Sequence, residues 1–327
     1  MRTPYLLQLG ERIQSGLQQL TPEFRERHRI FLLSRQLPNG GFSGREVDLQ
    51  GMPLFEDGVQ PDLYYTSFAV RGLAALGDFP EAPAQKLATW LMPMAARSVS
   101  VIDILSWLYS ALVVQTVLGV DLLTEVATDW ADRLSSHLES LRAPDGGYAK
   151  SAATTMGSTY HSFLAALCYE LMGRELPNSG QLVDFIRSRQ RADGGFVEMA
   201  SMKRSGTNPT AAAIALLKIF EALTPEICER TAGFLEEVRC DDGGVQANTR
   251  IPFSDMLSTF TGYLTALDIG RPELLPERRL RRFLQELEIP TGGFLAAGWD
   301  RAPDVEYTFY ALGTLGLLSS MSPSSSA

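Results

Sequence analysis

The chain has 327 residues, 45% hydrophobic and 20% charged, with a formal net charge of −9, a balance that excludes nucleic acid as the main partner because phosphate binding needs a basic surface. The opening stretch Met1–Gln8 lacks the apolar core of a signal peptide, and no run approaches the ~18 uncharged apolar residues of a membrane span. Three cysteines (Cys168, Cys228 and Cys240) without CxxC spacing suit the reduced thiols of a cytoplasmic protein.

From the N-terminus, residues 5–36 predict two helices. Leu6, Leu7, Leu9, Ile13, Leu17 and Leu20 keep helical spacing, and Pro22 stands where a second helix can start. That helix runs into the turn Asn39-Gly40-Gly41-Phe42. A long, partly acidic loop from Ser43 to Pro61 follows, of a length that serves as a lid or partner surface. The turn returns as Asp145-Gly146-Gly147-Tyr148, Asp193-Gly194-Gly195-Phe196, Asp242-Gly243-Gly244-Val245 and Thr291-Gly292-Gly293-Phe294. Its first glycines are spaced 106, 48, 49 and 49 residues apart, so the first gap is two periods and one copy, near Ala95-Ala96-Arg97, has lost its glycines.

The segments before the turns, such as Leu182–Gln190 and Pro276–Leu287, carry one apolar stripe on a charged surface. The segments after them are poor in charge and begin at Asp62, Asp103, Thr155, Asn208, Asp255 and Asp304. A helix apolar on every side must be covered on every side. Six such helices inside six amphipathic ones, joined by Gly-Gly turns, make an all-α fold, an α6/α6 toroid of six hairpins. Residues 1–318 form this single domain and 319–327, rich in serine, form a disordered tail.

The Asp and Asn residues at these helix starts, with Thr66, Thr259 and Thr308 four residues later, are explained one by one as caps. Six helix N-termini around one mouth would also favour an anion above an apolar cavity. Tyr64, Tyr65, Trp107, Tyr160, His161, Tyr263, Tyr307 and Tyr310 fall in or near these helices, each suited to a core and together to an aromatic well. Lys203 and Arg204 lie just before Asn208, where a diphosphate clamp would stand, and Arg250 holds a comparable place before Asp255.

The turns, their period and the Asp-initiated apolar helices resemble the β subunits of protein prenyltransferases. The likeness is greatest to the geranylgeranyl type and the wider prenyltransferase and squalene-oxidase repeat group, over residues 25–318. The resemblance implies a zinc ion, held by an Asp-x-Cys pair on one inner helix and a His on the next, that makes an acceptor thiol nucleophilic. Carried over position by position, these ligands fall on Asn208, Thr210 and Ser258, which are not zinc ligands. With only His28, His137 and His161 elsewhere, the expectation is no metal and no other cofactor. The family's isoprenoid-contacting Arg has no counterpart in Thr155-Met156-Gly157, while Lys203 and Arg204 partly match its basic cluster.

The function expected is thus a prenyltransferase-like protein that binds an isoprenoid diphosphate in a central apolar cavity and transfers the prenyl group without zinc. Other apolar small molecules and a peptide or protein acceptor fit the same cavity, and family β subunits work with a helical α partner, so an α-type subunit or a homodimer is open. The alternatives are a non-catalytic lipid- or peptide-binding toroid and a terpene-cyclase relative. Cyclases use a dense Asp-x-Asp-Asp, absent here, since Asp241-Asp242 belongs to a turn. A glycosidase would need paired carboxylates, for which Asp304 and Glu306 are the nearest candidates.

Overall fold

The computed structural model describes residues 3–45, 60–95 and 100–321. Described residues are helical apart from turns and one antiparallel pair of two-residue strands, β1 (Val245–Gln246) and β2 (Ser254–Asp255). The two helices expected at the N-terminus are α1 (Tyr5–Leu17) and α2 (Pro22–Leu33), the second capped by Thr21, which accepts from the Phe24 N–H. Then α3 (Leu63–Leu76), α4 (Glu81–Met94), α5 (Val101–Leu118), the short α6 (Leu122–Val126), α7 (Trp130–Ser140), α8 (Thr159–Leu171) and α9 (Ser179–Arg187) follow. The chain continues through α10 (Thr207–Ile219), α11 (Pro225–Glu237), α12 (Met256–Asp268), α13 (Glu277–Leu287) and α14 (Val305–Met321).

The alternation of two helix types is plain. In α13 only a stripe of Leu280, Phe283, Leu284 and Leu287 is buried, whereas α14 is buried on all sides from Val305 to Ser319. α14 runs to Met321, three residues into the expected tail; residues 322–327 lie outside the described residues, as do 46–59 of the expected lid and 96–99 at the degenerate turn. α5 corrects the expectation about membrane spans. It is 18 residues long and apolar enough to cross a membrane by length and composition, because Asp103 interrupts the uncharged run without offsetting its many apolar neighbours; half of it is buried, as in a core helix.

The chain divides into two compact units, Met1–Val99 with Ser106–Trp130 and Leu284–Ala327, and Ser100–Leu105 with Ala131–Phe283. Four of the five Gly-Gly turns dock on an aromatic ring of a later amphipathic helix. In the second unit Gly147 lies against Phe185, Gly195 against Phe234 and Gly244 against Phe283; in the first, Gly41 lies against Trp90. The last turn has no later helix and takes the first: Gly293 lies against Phe31 of α2. There His28 replaces the Asn or Asp side chain that accepts the second glycine's N–H elsewhere, its Nδ1 receiving Gly293 N–H at 3.1 Å, with Glu288 3.3 Å from its Nε2. α1 closes on α14 through Gly16 and Gly316, where a Cβ on Gly316 would stand 2.5 Å from the Ile13 carbonyl oxygen.

Candidate functional site

The register of the apolar helices is set by a hydrogen bond that repeats five times. The N–H of the residue after each Gly-Gly pair donates to a Thr or Ser hydroxyl one turn inside the following helix. The pairs are Phe42 to Thr66 at 3.0 Å, Tyr148 to Ser162 at 2.8 Å, Phe196 to Thr210 at 2.9 Å, Val245 to Thr259 at 3.0 Å and Phe294 to Thr308 at 3.0 Å. Four residues before each hydroxyl stands the true first position: Asp62, Ser158, Gly206, Asp255 and Asp304.

This corrects three of the six expected starts. Thr155 lies in the loop ahead of Ser158, which caps α8 by accepting from His161 N–H at 3.0 Å. Asn208 lies two residues beyond Gly206. Asp103 lies three residues inside α5, where its carboxylate accepts from Ser100 Oγ at 2.7 Å and its own N–H donates back at 3.1 Å, a capping box. The feature these helices share is the hydroxyl four residues after the first position, not a carboxyl or amide side chain at it.

Of the positions the resemblance assigns to zinc, Asn208 lies in the first turn of α10 and Thr210 is a structural hydroxyl. Ser258 keeps the place of the His, and its hydroxyl donates to Asp255 at 2.7 Å. Zinc does not fit: these positions supply neither thiolate, imidazole nor carboxylate. Among the described residues no three His, Cys, Asp or Glu side chains converge on a common point for a metal. Because Thr210 Oγ1 accepts the buried Phe196 N–H, Thr210→Val should lower stability by about 1–3 kcal/mol, the cost of an unsatisfied buried donor, and Thr210→Ser should restore most of it in urea unfolding.

In the second unit, helix starts are stitched sideways. Thr159 Oγ1 donates to the Val197 carbonyl at 2.7 Å, and Thr207 Oγ1 to the Gln246 carbonyl at 2.7 Å. His161 belongs to this stitching. Ser158 Oγ sits 2.8 Å from His161 Nδ1 and donates to Glu198, whose carboxylate also receives Tyr160 N–H at 3.2 Å. Burial holds Glu198 above the usual carboxylate range, and burial, helped by the charge of Lys150, lowers His161. Tyr160, beside it, is half-buried. α10 differs from its neighbours in that Gly206 gives it no side-chain cap; Thr207 N–H goes to the Ala247 carbonyl at 2.9 Å, as Thr159 N–H goes to the Glu198 carbonyl at 3.1 Å. Lys203 and Arg204, three and two residues before Gly206, are both exposed.

In the first unit, the face of each apolar helix opposite its hydroxyl follows from 100° per residue. On α3 it carries Tyr64, Phe68 and Arg71, and on α14 Glu306 and Tyr310. Glu306 is buried and takes the hydroxyls of Tyr64 at 2.7 Å and Tyr310 at 3.3 Å. Burial raises it to about 7, against the Tyr64 hydrogen bond and with help from the charge of Asp304. Phe68 packs edge-on to Tyr64 and Tyr310, with ring centroids 4.9 and 5.3 Å apart. The expected well residues divide accordingly: Tyr64 and Tyr310 are in this cluster. Tyr65 packs under Gly44, Tyr307 lies 5.7 Å from the Arg45 guanidinium, and Trp107 is a core residue whose N–H donates to the Leu91 carbonyl at 3.0 Å. Asp304 is no catalytic partner for Glu306; it caps α14 and pairs with Arg45, which also holds Asp300. Arg71 and Arg45 escaped the sequence reading, although an arginine seven residues after Tyr64 in an otherwise uncharged helix was a usable signal for the first.

The family described as prenyltransferase alpha-alpha toroid domain matches residues 7–107 and 103–325, and the chain belongs to that family. Its fold class is therefore the expected all-α toroid. It is similar to Candida albicans protein geranylgeranyltransferase-I complexed with GGPP, at a TM-score of 0.65 and 16% identity over 90% of each chain. It is similar as well to the type II terpene cyclase MstE from Scytonema in complex with its product merosterolic acid A, at a TM-score of 0.60 and 14% identity over 96% of this chain and 98% of the other. An alpha-1,6-mannanase from Salegentibacter reaches a TM-score of 0.56 at 13% identity over 95% and 98%. A comparison with curated proteins found no match.

Proposed function

We propose that the chain binds an isoprenoid diphosphate through the start of α10 and transfers the prenyl group by a route that does not use the family's zinc. The observation that carries this is the missing cap: Gly206 leaves the positive end of α10 without a side-chain acceptor, and two exposed cations, Lys203 and Arg204, stand beside it. An uncapped helix N-terminus with adjacent cations is a natural seat for phosphate oxygens. Beyond it, the face of α10 continues with Ala212 and Ala215, and that of α12 carries Leu257, Thr261 and Leu264, largely apolar surface of the kind a hydrocarbon chain needs. The GGPP bound to the geranylgeranyltransferase neighbour supports the same ligand class. Binding without turnover is the second reading, favoured by Asn208, Thr210 and Ser258 at the positions the resemblance assigns to zinc. A cyclase is less well supported, because an acid near 7 such as Glu306 is far too weak to protonate an alkene.

Titration with geranylgeranyl diphosphate and with geranylgeraniol tests the clamp. The diphosphate should bind at least tenfold more tightly, and the double variant Lys203→Ser, Arg204→Ser should weaken it by roughly tenfold to a hundredfold, the scale of one charge-assisted hydrogen bond. Equal binding of the alcohol sinks the clamp. Transfer of labelled prenyl to a cysteine peptide in the presence of a chelator supports turnover without zinc; transfer only with added zinc contradicts it.

A further inference from the structure

The first unit holds a charge that nothing yet described uses. Arg71 sits on the face of α3 that carries Tyr64 and Phe68, about 10 Å along the helix from Tyr64 at 1.5 Å per residue. Its guanidinium carbon lies 5.2 Å from the Phe68 ring and 4.9 Å from that of Tyr109 on α5. Its Nε is enclosed without a hydrogen-bond partner, and no carboxylate pairs with the group among the described residues. A half-buried cation that meets aromatic rings and no carboxylate among the described residues has lost water without a described counter-ion, and such groups are ordinarily paired. Cation–π contact compensates part of the loss and leaves the full positive charge to be met.

We infer that Arg71 receives the anionic end of an apolar ligand, and that this end is a carboxylate. The rings of Phe68 and Tyr109 occupy the space beside the guanidinium and orient it, so its terminal N–H fork is what a ligand meets, a geometry matched by a planar carboxylate. Charge points the same way. Among the described residues Arg71 is the one cation set against the Phe68 and Tyr109 rings, so one negative charge is balanced there where the higher charge of a diphosphate is not. This inference stands apart from the α10 clamp, which lies in the other unit.

Farnesoic acid, farnesol and farnesyl diphosphate, identical in chain, separate the two. Titrated into the whole protein, farnesoic acid should bind at least tenfold more tightly than farnesol. Arg71→Met should abolish that preference and Arg71→Lys should retain part of it, with folding of each variant checked by thermal unfolding; Arg71→Gln replaces Met if the latter does not fold. The Lys203→Ser, Arg204→Ser variant should leave the acid-to-alcohol ratio unchanged while weakening the diphosphate. Equal affinity of acid and alcohol in the wild type, or an intact preference in Arg71→Met, overturns the inference. A diphosphate affinity indifferent to Lys203 and Arg204 overturns only the clamp.

Discussion

Gly194→Ala should destabilise the protein by about 2–5 kcal/mol. Gly194 has φ +88°, in the left-handed region that costs other residues ~1–2 kcal/mol. Its added Cβ would also run into the carbonyl of Arg230 on α11, backbone that cannot swing aside, and overpacking adds about 1–3 kcal/mol. Gly180, helical and with open space around its Cβ position, is the control: Gly180→Ala should stabilise by about 0.5–1 kcal/mol. Urea midpoints at unchanged m-value measure both. A Gly194→Ala protein within 0.5 kcal/mol of wild type, roughly the noise of a surface change, would mean that the turn does not dock on α11 as described.

The second large effect concerns pH. Glu306 rises from 4.5 to about 7 on folding, so between those values the folded state holds a proton that the unfolded state has released. Its contribution is therefore complete below pH 4.5 and disappears as pH rises through 7, with a total of about 3 kcal/mol at 1.36 kcal/mol per pKa unit. His28 and His161, lowered by burial, act in the opposite direction, since unfolding lets them take up protons. The informative quantity is the difference between wild type and Glu306→Gln, which keeps an acceptor for Tyr64 and cannot ionise. That difference should shift in favour of Glu306→Gln between pH 5 and 8, as read from urea unfolding at each pH. A flat difference would show that Glu306 ionises in the fold as it does in water, and that the Tyr64 and Tyr310 cluster tolerates the charge.

Three placements show where sequence reasoning reached and where it stopped. The turns were legible because two glycines followed by an apolar residue have a local conformational cause, visible in the left-handed φ of Gly40, Gly146, Gly194, Gly243 and Gly292. The helix starts were misaligned at Thr155 and Asn208 because the cap may be Asp, Ser or nothing, while the hydrogen bond that sets the register joins residues 14 or more apart. His28 drew no notice as a turn residue because its partner, Gly293, lies 265 positions away.

Period, helix type and turn chemistry are properties of a few neighbouring residues, and for this chain they were enough to name an all-α toroid before any coordinate was known. Which acid is held above the usual carboxylate range, which arginine lies between aromatic rings and which helix start lacks an acceptor depend on groups brought together from distant parts of the chain. Burial and charge balance at Glu306, Arg71 and Gly206 are sums over those neighbours, and a linear sequence does not contain the distances in the sum.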